Sequence, residues 1–192
     1  SAASDVYKRQ FVFYGEAQIG PMLLFITIFN FFSSNSQIPV YSVSDMTLLG
    51  FGDNGLVFFD YEFSYMHIIA SFISVFIGIV MTQSGFDKIF NWEGELDFIT
   101  EKFSKTPLAN FSTFGLIQVT IFEILSGLLS LFGAIMVLFY NETSYGIMGL
   151  ILAAISLCIL MLGQRISKDY EGAAVLVPYF LLTMFGLFIY IS

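Results

Sequence analysis

The sequence contains little charge. Only 11% of its 192 residues are Asp, Glu, Lys or Arg, whereas 57% are hydrophobic. Soluble domains have about 45–50% apolar residues even with glycine included, so this composition indicates a membrane protein. Basic residues are especially scarce, with 7 Lys and Arg against 15 Asp and Glu. No basic patch is available to neutralise phosphates, which excludes nucleic acid as a partner.

Cysteine and histidine occur once each, as Cys158 and His67. A single cysteine excludes a disulfide or a Cys-x-x-Cys redox pair within the chain. A single histidine excludes a bis-histidyl haem within one protomer. No flavin, haem, iron–sulfur or dithiol motif is found elsewhere. We therefore expect no metal site and no cofactor held by such a motif.

The N-terminal region separates from the rest by its composition. Residues 1–10, SAASDVYKRQ, can be encoded by the adapter of transposase-based sequencing libraries, so we predict that they are an adapter scar. Residues 11–63 show no sustained helical or strand period. Three interpretations stay open for them: a luminal or periplasmic segment, upstream DNA translated in frame, or a degraded membrane segment. Under the second interpretation, Met46 or Met66 is the natural start.

Four apolar runs follow, each about long enough to cross roughly 30 Å of hydrocarbon. Short joints connect them, so the pattern predicts an all-α fold, a four-helix up-down bundle in the lipid bilayer. We assign residues 64–192 to this domain and leave a homo-oligomer open. The predicted spans are residues 65–83, 111–140, 145–163 and 170–191.

The joint between the first two spans predicts a helix of its own. Apolar residues recur there at spacings of 4, 3 and 4, with acidic residues on the opposite face. We interpret Asn91–Phe103 as a short interfacial helix that lies at the membrane surface. The apolar face contains Trp92, Leu96, Ile99 and Phe103.

The basic residues of the joints predict the orientation of the bundle. The first joint contains Lys88, Lys102 and Lys105, and the third contains Arg165 and Lys168. The second joint, residues 141–144, contains none. Short loops rich in Lys and Arg stay in the cytoplasm, so we expect the first and third joints to be cytoplasmic and the C-terminus to lie outside.

One carboxylate interrupts the second span. Glu123 lies about twelve residues into it, which predicts a position near mid-depth. Ionisable residues inside spans are costly and usually face the bundle interior. In an up-down bundle, the polar ends of all four spans meet on the same side as this glutamate. We expect a candidate polar cluster there, made of Gln83, Asp87, Lys88, Gln118, Glu123, Gln164, Arg165 and Tyr170.

Two interpretations of this cluster are open. It is either a polar pocket or proton relay, or a structural hydrogen-bond network whose outer charges anchor the helix ends. The catalytic residues, if the protein is an enzyme, cannot be assigned from these residue types alone.

Three segments resemble the DoxX family of small four-span bacterial membrane proteins. They are Gln83–Leu108, with its Gly-x-x-Lys at Gly85–Lys88; Ile121–Gly133, with a glutamate followed by small residues; and Leu162–Phe180, with Gly-Gln-Arg-Ile-x-Lys-Asp-Tyr. The resemblance covers about Met66–Ser192. It implies an inner-membrane protein of four helices. The family takes its name from a subunit of a thiosulfate:quinone oxidoreductase, and other members are linked to redox or oxidative-stress complexes.

Two functions are consistent with these residues and with the resemblance. The first is a quinone-linked redox subunit that receives electrons from a partner protein or directly from substrate; the polar cluster supplies hydrogen bonds to the quinone, and Glu123 carries protons. The second is a non-catalytic scaffold or partner-docking subunit, in which the cluster only holds the bundle together. A proton-coupled transporter is a more distant third.

Overall fold

A computed structural model describes residues 50–58 and 61–192. The predicted adapter scar at residues 1–10 lies outside the described residues, as does most of the segment 11–63. The compact unit Phe63–Ser192 contains all the α-helices described below. The described residues are mostly helical.

Three short strands precede the helices. Strands β1 and β2 are antiparallel, with Gly50 opposite Val57, and the sheet order is β1-β2-β3. The Gly52 N–H donates to the Gly55 carbonyl at 2.8 Å and closes the turn between them. These strands were not predicted from the sequence, although an Asn-Gly pair between apolar residues is a known hairpin signal. The strands are β1 (Gly50–Phe51), β2 (Gly55–Phe58) and β3 (Tyr61–Ser64).

Five α-helices and one 3₁₀ turn form the rest of the described chain. They are α1 (Tyr65–Phe90), α2 (Trp92–Phe103), the 3₁₀ turn Ala109–Phe111, α3 (Ser112–Tyr140), α4 (Ser144–Ile166) and α5 (Tyr170–Ile191). Asn141 ends α3 in the left-handed conformation, with φ of 56°, which asparagine tolerates better than most residues.

Four of these helices are long and apolar enough to cross a membrane, which confirms the predicted number of spans. Three of them match the predicted bounds to within about three residues. The first differs, because α1 continues from Gln83 to Phe90 instead of ending at the polar residues. At a rise of about 1.5 Å per residue, its 26 residues exceed the roughly 30 Å of hydrocarbon, so the last turns reach the polar residues of the joint.

Helices α1 and α3 form the most extensive contact of the bundle, and small residues line it. A Cβ added to Gly127 would lie 2.7 Å from the Thr82 backbone nitrogen and 3.0 Å from the Gly78 carbonyl oxygen. Only glycine therefore fits at Gly127 without a shift of backbone. Such close approach lets helices gain dispersion energy where lipid removes the hydrophobic driving force.

The remaining helices pack through the same kind of residue. Gly133 of α3 faces Gly146 of α4, and Gly146 in turn lies against the ring of Tyr190 in α5. The Tyr190 hydroxyl and Ser74 Oγ of α1 are 2.9 Å apart in a buried hydrogen bond. The apolar core around this bond includes Ile77, Val137, Leu150 and Leu187.

Helix α2 is only partly enclosed by the other helices, and none of its residues is buried. An ion pair joins it to the start of α5, with 2.6 Å between Lys102 Nζ and Asp169 Oδ2. At its C-terminal end, Phe103 lies beside Gly163 of α4. These contacts hold α2 across the end of the bundle from which α3 starts.

The glycine contact between α1 and α3 is tested by adding one methyl group. We expect Gly127→Ala to lower the free energy of unfolding by about 1–3 kcal/mol, because the methyl meets backbone atoms of α1. Gly115→Ala is the matched control in the same helix, since its Cβ would meet no atom within 4 Å. Denaturation in detergent micelles measures both. Equal stability of the Gly127 variant and the wild type would contradict this account.

Candidate functional site

Glu123 is buried and paired with Lys88. Its side chain is 1% exposed and that of Lys88 is 14% exposed, and Glu123 Oε2 lies 2.9 Å from Lys88 Nζ. The other oxygen, Oε1, accepts hydrogen bonds from Lys88 Nζ and from Ser84 Oγ, each at 3.1 Å. Lys88 also donates to Ser84 Oγ at 2.9 Å and lies 3.3 Å from the Ser84 carbonyl oxygen. Three side chains from two helices therefore form one polar group.

The missing side chain at Gly85 makes room for this group. A Cβ there would lie 2.6 Å from Ile124 Cγ1 and 3.4 Å from Glu123 Cβ. The two helices therefore approach closely at the turn that carries the glutamate. Ser84 and Lys88 are four residues apart, so they share one face of α1, and both side chains point toward Glu123.

The depth of Glu123 differs from the expectation drawn from α3 alone. Counting along α3 places it near the middle of that helix. Its contacts place it level with Gly85 and Lys88, in the last two turns of α1. The reason is that the first three turns of α3 extend past this level, where they pack against α2. Glu123 therefore lies nearer one end of the bundle than the sequence suggested.

The hydrogen bonds of the pair are distributed unevenly. An ammonium group has three protons, and those of Lys88 are directed to Ser84 and Glu123. Glu123 Oε2 is held by charge only, because no donor in the described part of the chain reaches it with hydrogen-bond geometry. Separating such a buried pair costs far more than its net contribution to stability, since one ion would remain without a counter-charge.

An apolar groove opens beside the pair. Its volume is about 320 Å³, at the lower end of the roughly 300–1,000 Å³ range of small-molecule sites. The last turns of α4, the first turns of α3 and the C-terminal half of α2 form its walls, and Lys88 contributes the only charge among its lining residues. Its apolar surface includes Ile99, Phe103, Leu116, Val119, Ile159 and Leu160.

The structure brings some of the eight residues of the candidate cluster together and separates the others. Lys88 and Glu123 form the pair, and Gln118 lines the groove beside them. Arg165 lies over the ring of Tyr170, with 5.3 Å between the guanidinium carbon and the ring centre. The rest do not contact the pair. The Oε1 atom of Gln164 is buried and its Nε2 atom lies near Gly172, whereas Gln83 and Asp87 are exposed on α1.

Two polar contacts were not anticipated from the sequence. Ser84 does not stand out in the sequence, because serine is common in spans as a small packing residue. Its helical spacing from Lys88 can nevertheless be read from the sequence. The pair between Lys102 and Asp169 joins two different joints, 67 residues apart, and no local pattern indicates it. Among residues 50–58 and 61–192, no three metal-binding side chains of His, Cys, Asp or Glu come together.

Asp169 has a second role at the start of α5. Its Oδ1 accepts a hydrogen bond from the Gly172 N–H at 2.9 Å, which caps the helix. The hydrogen bond from Lys102, and then the one from Gly172, hold the pKa of Asp169 below its usual value of 3.8. The charged form of Asp169 therefore stabilises the contact between α2 and α5.

No model of a protein family, no curated protein and no solved structure matches the chain. The resemblance to the DoxX family therefore rests on the sequence motifs alone.

The buried pair is tested by removing one charge and then both. We expect Lys88→Met to lower the free energy of unfolding by about 3–5 kcal/mol, because Glu123 then stays buried without a counter-charge. Adding Glu123→Leu should restore most of that loss. Lys102→Met breaks the half-exposed pair and should cost about 1 kcal/mol or less. Denaturation in micelles compares the four proteins, and equal losses for the two lysine variants would disprove the distinction.

The cap at Asp169 predicts acid sensitivity. Because the pKa of Asp169 is lower in the folded chain, its stabilising contribution is complete above its usual value of 3.8 and is lost as the pH falls below that value. Asp169→Asn keeps a capping side chain but carries no charge, so its melting temperature should fall less in acid than that of the wild type. Lys102→Met should flatten the same profile. Parallel profiles for all three proteins would refute the assignment.

Proposed function

We propose that the chain is a DoxX-like integral protein of the bacterial inner membrane and a subunit of a quinone-linked redox or oxidative-stress system. The apolar groove beside the Lys88–Glu123 pair is the observation that carries this proposal. A quinone needs an apolar slot for its ring and tail, with a few polar groups near its oxygens. The four apolar helices and the three sequence motifs support the family and the location.

The chemistry of quinone reduction determines what this chain and the electron donor each have to supply. Reduction of a quinone to a quinol consumes two electrons and two protons. The sequence has no motif for a redox cofactor, so the electrons come from a partner protein or directly from substrate. Lys88 lines the groove and pairs with Glu123, and we assign the carriage of protons to Glu123.

The up-down arrangement of the spans is part of this proposal. Ser71, early in α1, donates to the carbonyl of Ala134, late in α3, whereas Lys88 at the other end of α1 contacts Glu123. These contacts support opposite directions for α1 and α3. The pair between Lys102 and Asp169 supports placing the first and third joints on one side.

The proposed surface position of α2 rests on its two faces. The four apolar residues at helical spacing are half-buried and the acidic residues opposite them are exposed, as expected of a helix lying at an interface. Together with the basic residues of the joints, the surface position of α2 favours a cytoplasmic location for the first and third joints and an outer location for the C-terminus. The exposed acidic residues are Glu93, Asp97 and Glu101.

The same acidic face favours a second candidate function, a non-catalytic subunit that docks a partner protein. In that case the ion pair is structural and the groove binds no quinone. The presence or absence of bound quinone separates the two candidates directly.

Filling the groove tests the proposed function. Gly115 lines the groove and a Cβ there meets nothing within 4 Å, so Gly115→Phe should place its ring in the groove. Protein purified from bacterial membranes should retain quinone, detected by mass spectrometry of the extracted lipids, and Gly115→Phe should retain at least about tenfold less. Ala174→Phe, at an exposed position of α5, is the matched control and should retain the wild-type amount.

Two results would count against the redox proposal. Absence of quinone from all three proteins would favour the docking subunit. Equal quinone in all three would mean that the quinone binds somewhere other than this groove.

A further inference from the structure

We infer that the groove accepts an uncharged amphiphile and that Gln118 is the residue that recognises its polar group. This inference rests on the proposed function, because it concerns the same groove, and it specifies which ligands the groove selects. The polar residues of the groove differ in the hydrogen-bonding capacity that they have left for a ligand.

The groove has three polar side chains in its lining: Lys88, Ser112 and Gln118. Ser112 has already used its single proton, because its Oγ donates to the Ala109 carbonyl at 3.0 Å. Lys88 directs its three protons to Ser84 and Glu123, so a ligand finds no free proton on it.

The charge of Lys88 is also compensated. Glu123 Oε2 lies 2.9 Å from Lys88 Nζ, so the wall of the groove is close to neutral at this point. An anionic ligand would lose its hydration in the apolar groove without gaining a counter-charge there. A cationic ligand would meet the ammonium group of Lys88 before it met the buried carboxylate. Both charged classes are therefore disfavoured.

Gln118 is the residue with capacity to spare. Its amide offers two donor protons and one acceptor oxygen, and no hydrogen bond of this side chain is found in the described part of the chain. It is half-buried and lies on α3 five residues before Glu123. An amide in this position suits a carbonyl or hydroxyl group at the end of an apolar body. Quinones belong to this class, and so do long-chain alcohols.

Three probes of similar apolar character test the inference. They are a decyl-substituted benzoquinone, hexadecanol and hexadecanoate, each added in labelled form to the purified full chain in micelles at alkaline pH. We expect the benzoquinone and hexadecanol to bind, and hexadecanoate to bind at least about tenfold more weakly.

Gln118→Leu should weaken binding of the two neutral probes by about fivefold to tenfold, the loss expected for one hydrogen bond. Gln83→Leu is the matched control, because Gln83 is exposed on α1 and does not line the groove. It should bind all three probes as the wild type does. The comparison of hexadecanol with hexadecanoate needs no substitution, so it stands even where a variant folds poorly.

The outcomes separate this inference from the proposed function. Wild-type affinity of the benzoquinone for Gln118→Leu, or equal affinity of hexadecanoate and hexadecanol for the wild type, would overturn the inference and leave a quinone site standing. Binding of hexadecanol that depends on Gln118, with no binding of the benzoquinone, would support the inference and remove the redox function. Binding of none of the probes would overturn both.

Discussion

The close approach of α1 and α3 is the constraint on which the rest of the structure depends. Glycines at 78, 85 and 127 bring the two backbones together, and no larger residue fits at Gly127 without a shift of backbone. This approach sets the register between the helices and so decides that Glu123 faces Lys88. The same register leaves the first turns of α3 beyond the contact with α1. Helix α2 and the end of α4 cover those turns, and the groove lies between them.

The polar residues of the bundle are concentrated at the end where α1 finishes. Toward the opposite end, the buried hydrogen bonds come from uncharged hydroxyl groups, as between Ser71 and the Ala134 carbonyl and between Ser74 and Tyr190, beside an apolar core. A charged pair placed deep in that core would lose hydration with little in return. Near the end of α1, the long side chain of Lys88 keeps some contact with solvent while it reaches the glutamate. The candidate site therefore lies at the end of the bundle where solvent can still reach a charged side chain.

Much of the fold could be predicted from the sequence, because long apolar runs indicate membrane helices directly. The four spans emerged in this way, and so did the unusual position of Glu123 in an apolar run. Its depth did not emerge, since it depends on how far α3 overhangs α1, and overhang is a property of packing. The pairing of Lys102 with Asp169 is also tertiary. Gln118 lines the groove, whereas Gln83 is exposed. This difference depends on how each helix is rotated about its axis, and a span that is hydrophobic on all sides gives no sign of that rotation.

The separation of Lys88 and Glu123 along the chain has a consequence for how the protein is made. Synthesis delivers α1 to the membrane 35 residues before the glutamate arrives. During that interval Lys88 has no carboxylate to neutralise it, and its position at the end of α1 lets it stay in the headgroup region. Glu123 has a shorter side chain, which reaches less far along its helix. Its counter-charge becomes available only when α3 packs against α1, so the ion pair forms after both helices have been made.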